Sequence, residues 1–325
     1  MVTGAAHPPR RSDAPLPLAE LPAELTGGVV AIGNFDGVHR GHQTVLNAAI
    51  ARGRPAVGLT FEPHPRAFFS KAPIFRLTPP EEKARVMAAV GLDAMVVVPF
   101  DEALARQSAE DFVAHVLVEQ MGASAVVVGH DFKFGARRRG DGDLLAREGG
   151  RHGFATETVA PCSDGGVISS TRIREHLAAG DVTAAARLLG RRYAVTAEVR
   201  HGEKRGREMG YPTANQALDP ASGLRHGIYA VRVLIDGEWR DGVASYGRRP
   251  TFDNGAPLLE TYVFDYSGDL YGKALRVVFE RYQRPEVAFR GMEELKVQID
   301  RDADEARAAL ANLAPLSDVD AALNF

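Results

Sequence analysis

Short apolar segments alternate with segments of helical periodicity through the first half of the chain, and this alternation constrains the fold most. Buried strands are predicted at Val29–Ile32, Ala56–Phe61, Ala94–Pro99 and Ala125–Gly129. Helices are predicted at Gly41–Arg52, Pro80–Val90 and Ser108–Met121. The third helix begins with Ser108 as its N-cap. Single helices between short strands are typical of βαβ units, so this half is predicted to be an α/β domain on a parallel sheet.

The second half has a different pattern. A helical pair, Arg174–Ala179 and Val182–Leu189, ends at Gly190. β-prone segments then follow at Tyr193–Val199, Gly227–Ile235, Gly242–Tyr246, Leu259–Asp265 and Ala274–Tyr282. One long amphipathic helix runs from Met292 to about Leu313. Strands followed by a helix predict a small antiparallel β-barrel with a C-terminal helix.

These patterns predict three parts of the chain. Residues 1–27 form an N-terminal lead that is partly ordered, residues 28–190 form the α/β domain, and residues 191–325 form the barrel domain. Hydrophobic residues make up 45% and charged residues 25%, which is typical of a soluble globular protein. The longest apolar runs are too short to cross a bilayer, and a net charge of −3 favours no nucleic-acid partner. A single cysteine, Cys162, indicates no disulfide framework, so we expect a cytoplasmic protein. Oligomerisation is left open.

The decapeptide from Gly33 to His42 joins the first predicted strand to the first helix. A strand-to-helix turn at the edge of a parallel sheet is where open α/β folds bind ligands. Its glycines let the backbone approach a ligand, and the helix that follows presents unpaired N–H groups to an anion. His39 and His42 can donate hydrogen bonds to phosphate oxygens. We therefore expect a nucleotide-phosphate site, with an ordinary Asp-Gly turn or a zinc site as the weaker alternatives.

Three further clusters are expected at the same edge of the sheet. Phe61 ends the second strand and offers a ring for stacking, while a proline-stiffened loop is the structural alternative. Asp131 and Phe132 follow another strand, and a planar heteroaromatic ligand would use such a carboxylate and ring. The segment Ile168–Arg174 opens a helix with two arginines near its first turn. Since cations are unfavourable at the start of a helix, an anionic ligand such as a triphosphate would account for the two arginines. The structural alternative is that the hydroxyls of this segment are only N-caps.

Gly-Asn-Phe-Asp-Gly-Val-His-Arg-Gly-His at residues 33–42 and Ile-Ser-Ser-Thr-Arg-Ile-Arg at residues 168–174 resemble the nucleotidyltransferase module of the prokaryotic bifunctional riboflavin kinase/FAD synthetase family. With Asp131–Gly135 and the second half, the resemblance covers roughly residues 28 to 310. It implies a Rossmann-like domain that transfers AMP from ATP to the phosphate of FMN, which yields FAD and pyrophosphate. Flavins are then substrates and products, and Mg²⁺ accompanies the ATP.

The resemblance also implies roles for individual residues of the first half. His39 and His42 would be catalytic and contact the ATP phosphates. Residues expected to bind the nucleotide are Gly33, Asn34, Phe35, Asp36, Ser170, Thr171 and Arg174. Residues expected to lie toward the flavin are Phe61, Asp131 and Phe132.

The segment from Gly206 to Asn215 resembles the nucleotide-binding segment of the family's riboflavin kinase module, with Tyr211 in place of Phe. By that resemblance Gly210, Pro212, Thr213 and Asn215 bind the nucleotide. Thr213 and Asn215 would also hold its Mg²⁺. Glu260 would be the base that takes the proton from the ribityl 5′-hydroxyl of riboflavin. Without the resemblance, an ordinary barrel loop and a solvent-facing carboxylate would be favoured.

The second half departs from the family pattern at several positions. Ser245-Tyr246 stands where Asn-Ile is usual before the segment Gly247–Phe252, Tyr262 replaces a common His, and Gln283 replaces a usual Leu. These substitutions keep open an alternative in which the barrel only binds flavin. A further alternative keeps the nucleotidyltransferase but gives it another acceptor, such as pantetheine phosphate or nicotinamide mononucleotide.

Overall fold

A computed structural model describes residues 12–201, 210–248 and 257–325. The chain divides into two compact units, residues 1–170 and 171–325, each of which is described by itself. The division lies before the sequence-based boundary at residue 190, which stays a prediction. Two segments singled out in the sequence, Gly206–Met209 and Arg249–Phe252, lie outside the described residues, as do residues 1–11 of the N-terminal lead.

The first unit contains a six-stranded sheet in the order β1-β4-β3-β2-β5-β6, in which every neighbouring pair is parallel. Its strands are β1 Pro15–Pro17, β2 Val29–Ile32, β3 Ala56–Glu62, β4 Ala94–Pro99, β5 Ala125–Gly129 and β6 Ala155–Val159. The predicted parallel α/β fold is confirmed. All four residues of β2 are buried, and β2 pairs with β3 on one side and β5 on the other. The turn after β2 therefore lies where the strand order reverses, the position that binds ligands in open α/β sheets.

The helices of this unit connect its parallel strands. They are α1 Arg40–Arg52, α2 Pro65–Ser70, α3 Pro80–Val90, α4 Glu102–Arg106, α5 Ala109–Phe112 and α6 Gly142–His152. Ser108 caps α5 by accepting a hydrogen bond from the backbone N–H of Asp111 at 3.0 Å, as predicted. The single α-helix predicted as far as Met121 is wrong in detail, because Val113–Gln120 continues α5 as a π-helix. Side-chain periodicity does not distinguish these two backbone patterns.

The second unit contains a closed antiparallel barrel in the order β10-β11-β8-β7-β12-β9. Its strands are β7 Tyr193–Arg200, β8 Thr213–Ala217, β9 Gly227–Ile235, β10 Glu238–Arg248, β11 Pro257–Val263 and β12 Ala274–Arg284. Its helices are α7 Ser170–Ala179, whose first residue belongs to the first unit, α8 Val182–Leu189, α9 Met292–Leu310 and α10 Asp318–Asn324. The barrel with a C-terminal helix is confirmed.

Helix α9 packs on the outer surface of the barrel. Ile228, Ala230 and Val243 form one hydrophobic cluster with Ala303 and Ala306 of the helix. The outer surface of β11 and β8 lies next to this helix. Among the described residues, the structure contains no helix that is long and apolar enough to cross a membrane.

Candidate functional sites

The turn after β2 is buried and strained. Phe35 and Val38 adopt positive φ values of 48° and 38°, which are unfavourable for bulky and β-branched residues. Both side chains are buried, and a Cβ on Gly33 would lie 3.0 Å from the ring of Phe35. Glycine at position 33 thus makes room for the buried Phe35 ring. Strained backbone that packing holds in place is typical of ligand-binding turns.

Asp36 anchors this turn to the segment before α3. Its Oδ1 accepts hydrogen bonds from the backbone N–H groups of Leu77 at 2.9 Å and Thr78 at 3.1 Å, and its side chain is buried. The Asp36 carbonyl accepts a hydrogen bond from Ser170 Oγ at 2.8 Å. Asp36 therefore holds the turn against the segment before α3, and Ser170 joins the two phosphate motifs of the sequence.

His39 and His42 form a stacked pair at the start of α1. Their ring centroids lie 3.6 Å apart with an angle of 15° between the planes. His39 Nδ1 accepts a hydrogen bond from the backbone N–H of His42 at 3.2 Å, so the His39 side chain is the N-cap of the helix. Since an N–H can only donate, Nδ1 carries no proton there and Nε2 carries it. The ring nitrogen of His39 that can donate to a ligand is therefore Nε2.

The rest of the turn positions this pair. Phe35 packs edge-on against His42, with centroids 5.4 Å apart. A Cβ on Gly41 would lie 3.2 Å from His39 Nδ1, so a larger residue would crowd the ring. Gln43 Nε2 donates to the carbonyl of Val38 at 2.9 Å. The two histidines are therefore held by packing and by backbone contacts.

The residues predicted to lie toward the flavin follow neighbouring strands of the sheet. Phe61 is 8% exposed and packs against Phe100 and Phe112, with 6.1 Å between centroids in each pair. Phe132 stacks on Phe134 at 5.4 Å, and the side chain of Asp131 is 85% exposed. Contact of these three groups with a flavin stays a prediction. Thr171 and Arg174 lie in the first two turns of α7 and belong to the second unit, so their nucleotide role also stays a prediction.

The register of the barrel brings the predicted kinase residues together. Glu260 of β11 lies directly opposite Asn215 of β8 and Ser245 of β10, and Tyr262 lies opposite Thr213. Directly opposite residues share a face of the sheet, with Cβ atoms about 4.5–5.5 Å apart. The neighbours Leu259 and Gln216 point the other way and are fully buried. Glu260, Asn215 and Thr213 therefore form one polar row on the outer surface of the barrel.

Three of the substitutions noted in the sequence lie at this row. Tyr211 donates a hydrogen bond to Asp300 of α9, which raises the pKa of the phenol to about 12, and its ring packs edge-on against Tyr262. Ser245 Oγ donates to Glu286 Oε1 at 3.4 Å. A Cβ on Gly247 would meet the carboxylate of Glu286, so a larger residue there would displace this side chain. Asp300 and Glu286 were not singled out as site residues, since they are distant in sequence from the groups they contact.

The predicted Mg²⁺ ligands offer hard oxygen atoms. Asn215 Nδ2 donates to the carbonyl of Thr213 at 3.2 Å, which fixes the orientation of the amide and of its oxygen. Within the three described ranges no group of three or more His, Cys, Asp or Glu side chains is arranged to hold a metal. A hydroxyl and an amide fit a magnesium ion whose other ligands are phosphate oxygens and water. Gly210, with φ of 89°, and the exposed Pro212 lead into this segment.

Comparisons with known families match both halves. The family model for FAD synthetase matches residues 21–172, and the model for riboflavin kinase matches residues 189–310. A bifunctional riboflavin kinase/FMN adenylyltransferase from Pseudomonas fluorescens is 40% identical over 300 residues, which cover 90% of this chain and 96% of the relative. The protein of the same description from Escherichia coli K12 is 41% identical over 298 residues, which cover 89% of this chain and 94% of the relative.

A solved structure has the same architecture over nearly its whole length. The crystal structure described as a macrolide-efflux protein from Streptococcus pneumoniae has a TM-score of 0.80 and 29% identity to this chain. The match covers 92% of this chain and 99% of that chain. From the two matching halves and the nearly full-length relatives, the chain belongs to the family of bifunctional riboflavin kinase/FMN adenylyltransferases, which are transferases.

Proposed function

We propose that this chain makes FAD from riboflavin in two ATP-dependent steps, first phosphorylation by the barrel domain and then adenylylation by the α/β domain. The observation that carries the proposal is that each half brings together side chains predicted to react. The stacked pair of His39 and His42 lies at the switch point of the parallel sheet, and Glu260 shares a row with Asn215 on the barrel.

In the adenylyl transfer, an oxygen of the FMN phosphate attacks the α-phosphate of ATP, and the bond to the β-phosphate breaks. The attacking oxygen is already anionic, so the protein has to orient the reactants and stabilise charge. His39 donates through Nε2–H to a phosphate oxygen, and His42 is a second donor to the phosphate oxygens, where charge develops on the leaving pyrophosphate.

In the kinase reaction, the ribityl 5′-hydroxyl of riboflavin attacks the γ-phosphate of ATP, and ADP leaves. Glu260 accepts the hydroxyl proton as the new oxygen–phosphorus bond forms. Thr213 and Asn215 would hold Mg²⁺, which would neutralise charge on the phosphates. The substituted residues Ser245 and Tyr262 border this row and shape its flavin side.

The first test is a product time course with purified protein, riboflavin, ATP and Mg²⁺, in which the three flavins are separated by chromatography. FMN should appear first and FAD should follow, with pyrophosphate released only in the second step. If riboflavin is unchanged while added FMN becomes FAD, the barrel is only a flavin-binding module.

We also place the enzyme in the cytoplasm, because ATP and a reducing environment suit a chain whose single cysteine, Cys162, is free. Its oligomeric state can be measured by light scattering. If the active protein has the mass of one chain, neither activity requires self-association.

A further inference from the structure

A buried lysine lies one residue removed from the turn after β2, to which Thr60 connects it. Lys83 of α3 is 2% exposed, and its Nζ lies 3.3 Å from Thr60 Oγ1 and 3.2 Å from Glu62 Oε1. Burial lowers the pKa of this lysine, and the carboxylates of Glu62 and Asp36 oppose that effect. Ala84 and Val86 are also buried on α3. An apolar residue at position 83 would therefore be sufficient for packing.

The lysine acts on the turn after β2 through one hydroxyl. Thr60 Oγ1 donates to the carbonyl of Asn34 at 3.1 Å, and Thr60 is fully buried at the end of β3. An ammonium group can only donate, so the Thr60 hydroxyl accepts from Lys83 and directs its own proton to Asn34. The ammonium group and the carbonyl together therefore fix the direction of both hydrogen bonds.

The surrounding charges tie three segments of the chain together. Glu62 also accepts from Arg76 at 2.5 Å, and Asp36 accepts from the two backbone N–H groups that follow Arg76. Two cations and two carboxylates thus face one another between the turn after β2, the end of β3 and the start of α3. Burying an ion costs several kcal/mol unless it is paired and hydrogen-bonded, and here each charge has partners.

We propose that Lys83 is a positioning residue for adenylyl transfer, which acts through Thr60 on the Asn34 carbonyl and so fixes the turn that carries His39. The inference rests on the proposed adenylyl transfer at His39 and His42. Phe35 and Val38, between Asn34 and His39, have positive φ. This strained backbone conformation is retained only if the residue where the turn begins is held in place. Thr60 and Lys83 hold that residue, Asn34, through its carbonyl.

The test compares Thr60→Val with Thr60→Ser in the full chain. Valine keeps the shape of the side chain and removes the relay, whereas serine keeps the hydroxyl. We expect the kcat for FAD formation from FMN to fall roughly 10- to 100-fold in T60V, with the KM for ATP nearly unchanged, because a displaced catalytic group lowers the rate of the chemical step. T60S should restore most of the kcat. The riboflavin kinase rate of the same preparations should equal that of the unaltered chain.

Two further variants show whether the two residues act as one unit. Lys83→Met should lower the same kcat, and the double variant K83M/T60V should lose little more than the worse single variant, since residues in one network are not additive. Thr26→Val removes a hydroxyl that donates to the Ala23 carbonyl outside the network, and it should leave FAD formation unchanged. If K83M does not fold, the comparison of T60V with T60S decides.

An unimpaired kcat in T60V, equal losses in T60S and T60V, or a change in KM alone would overturn the inference. Fully multiplicative losses in the double variant would also overturn it. An unaltered chain that makes no FAD from FMN would instead overturn the proposed function, and with it this inference.

Discussion

At the scale of single residues, His39 has two tasks that substitution can separate. Its Nδ1 caps α1, and its Nε2–H is the group proposed to donate to a phosphate oxygen. Asparagine is also a good N-cap, so asparagine at position 39 can cap the helix but cannot donate as the imidazole does. A variant that keeps the cap and loses the ring therefore isolates the chemical role of the imidazole.

We expect His39→Asn to retain nearly the full free energy of unfolding while FAD formation falls about 100-fold, the loss typical of one stabilising donor. His39→Ala should lose the same activity and also about 1 kcal/mol of stability, since the cap is lost. Denaturant unfolding and steady-state kinetics check both. Equal activity in H39N and the unaltered chain would mean that the ring only caps the helix.

Tyr211 gives a prediction in pH. Its hydrogen bond to Asp300 raises the pKa of the phenol to about 12, above its usual value of 10. Because the folded state holds this proton more tightly, the bond stabilises the fold fully below pH 10 and is lost as the pH rises through about 12. The stability difference between the unaltered chain and Tyr211→Phe should be constant below pH 10 and shrink above it. Asp300→Asn is the control, because it removes the carboxylate whose hydrogen bond raises the pKa of Tyr211 and keeps a side chain of the same shape. A difference that is independent of pH would contradict the role of the bond.

At the scale of elements, α10 lies beyond residue 310, where the match to the riboflavin kinase family model ends. Asp320 is fully buried and accepts from the backbone N–H of Arg192 at 2.9 Å and from its guanidinium. Arg192 also binds Glu280 at 2.5 Å, and burial raises the pKa of that carboxyl while the arginine opposes the effect. This short helix therefore closes a buried ionic cluster of the barrel unit.

Removing one partner of such a cluster leaves an uncompensated buried charge. We expect Asp320→Ala to cost about 3–5 kcal/mol of unfolding free energy and to shorten the half-life of kinase activity on heating. Asp318→Ala on the same helix removes an exposed carboxylate and should cost about 0.5 kcal/mol or less. Similar losses in the two variants would show that the cluster does not stabilise the barrel.

The sequence predicted elements whose patterns are local and strong. Strand β2 and the helices α1 and α3 follow directly from apolar runs and helical spacing, and their bounds agree with the prediction to within one residue. Strand β8 was not predicted, because Thr-Ala-Asn-Gln-Ala has little β-propensity. It is stabilised by Gln216, whose amide donates to the carbonyls of Ala197 and Leu275. Such a contact depends on strands that are distant in sequence.

The same distinction applies to the sites. The histidine pair and the row around Glu260 were found because their motifs are contiguous or matched a known family. Lys83 was missed, since a lysine within a helical pattern is usually a solvated residue. The partnership of Tyr211 with Asp300 spans most of the barrel unit in sequence and required the structure.

At the scale of the whole molecule, two active sites on one chain allow each step to be removed separately. His42→Ala should abolish FAD formation and leave riboflavin phosphorylation intact, whereas Glu260→Gln should do the reverse. A mixture of the two variants should then make FAD from riboflavin after a lag, because FMN released by one chain is used by the other. Chromatography of flavins over time is the measurement. No FAD in the mixture would mean that FMN passes only between the sites of one chain or one assembly.

The two sheets also differ in how they are protected from unwanted association. The barrel is closed and has no free edge, but the parallel sheet ends at β1 and β6. Strand β1 contains Pro15 and Pro17, which lack the N–H groups that a further strand would need. The two prolines thus protect this edge of the sheet from aggregation. β-Branched residues in their place would restore the backbone N–H groups, and a strand of another chain could then pair with β1.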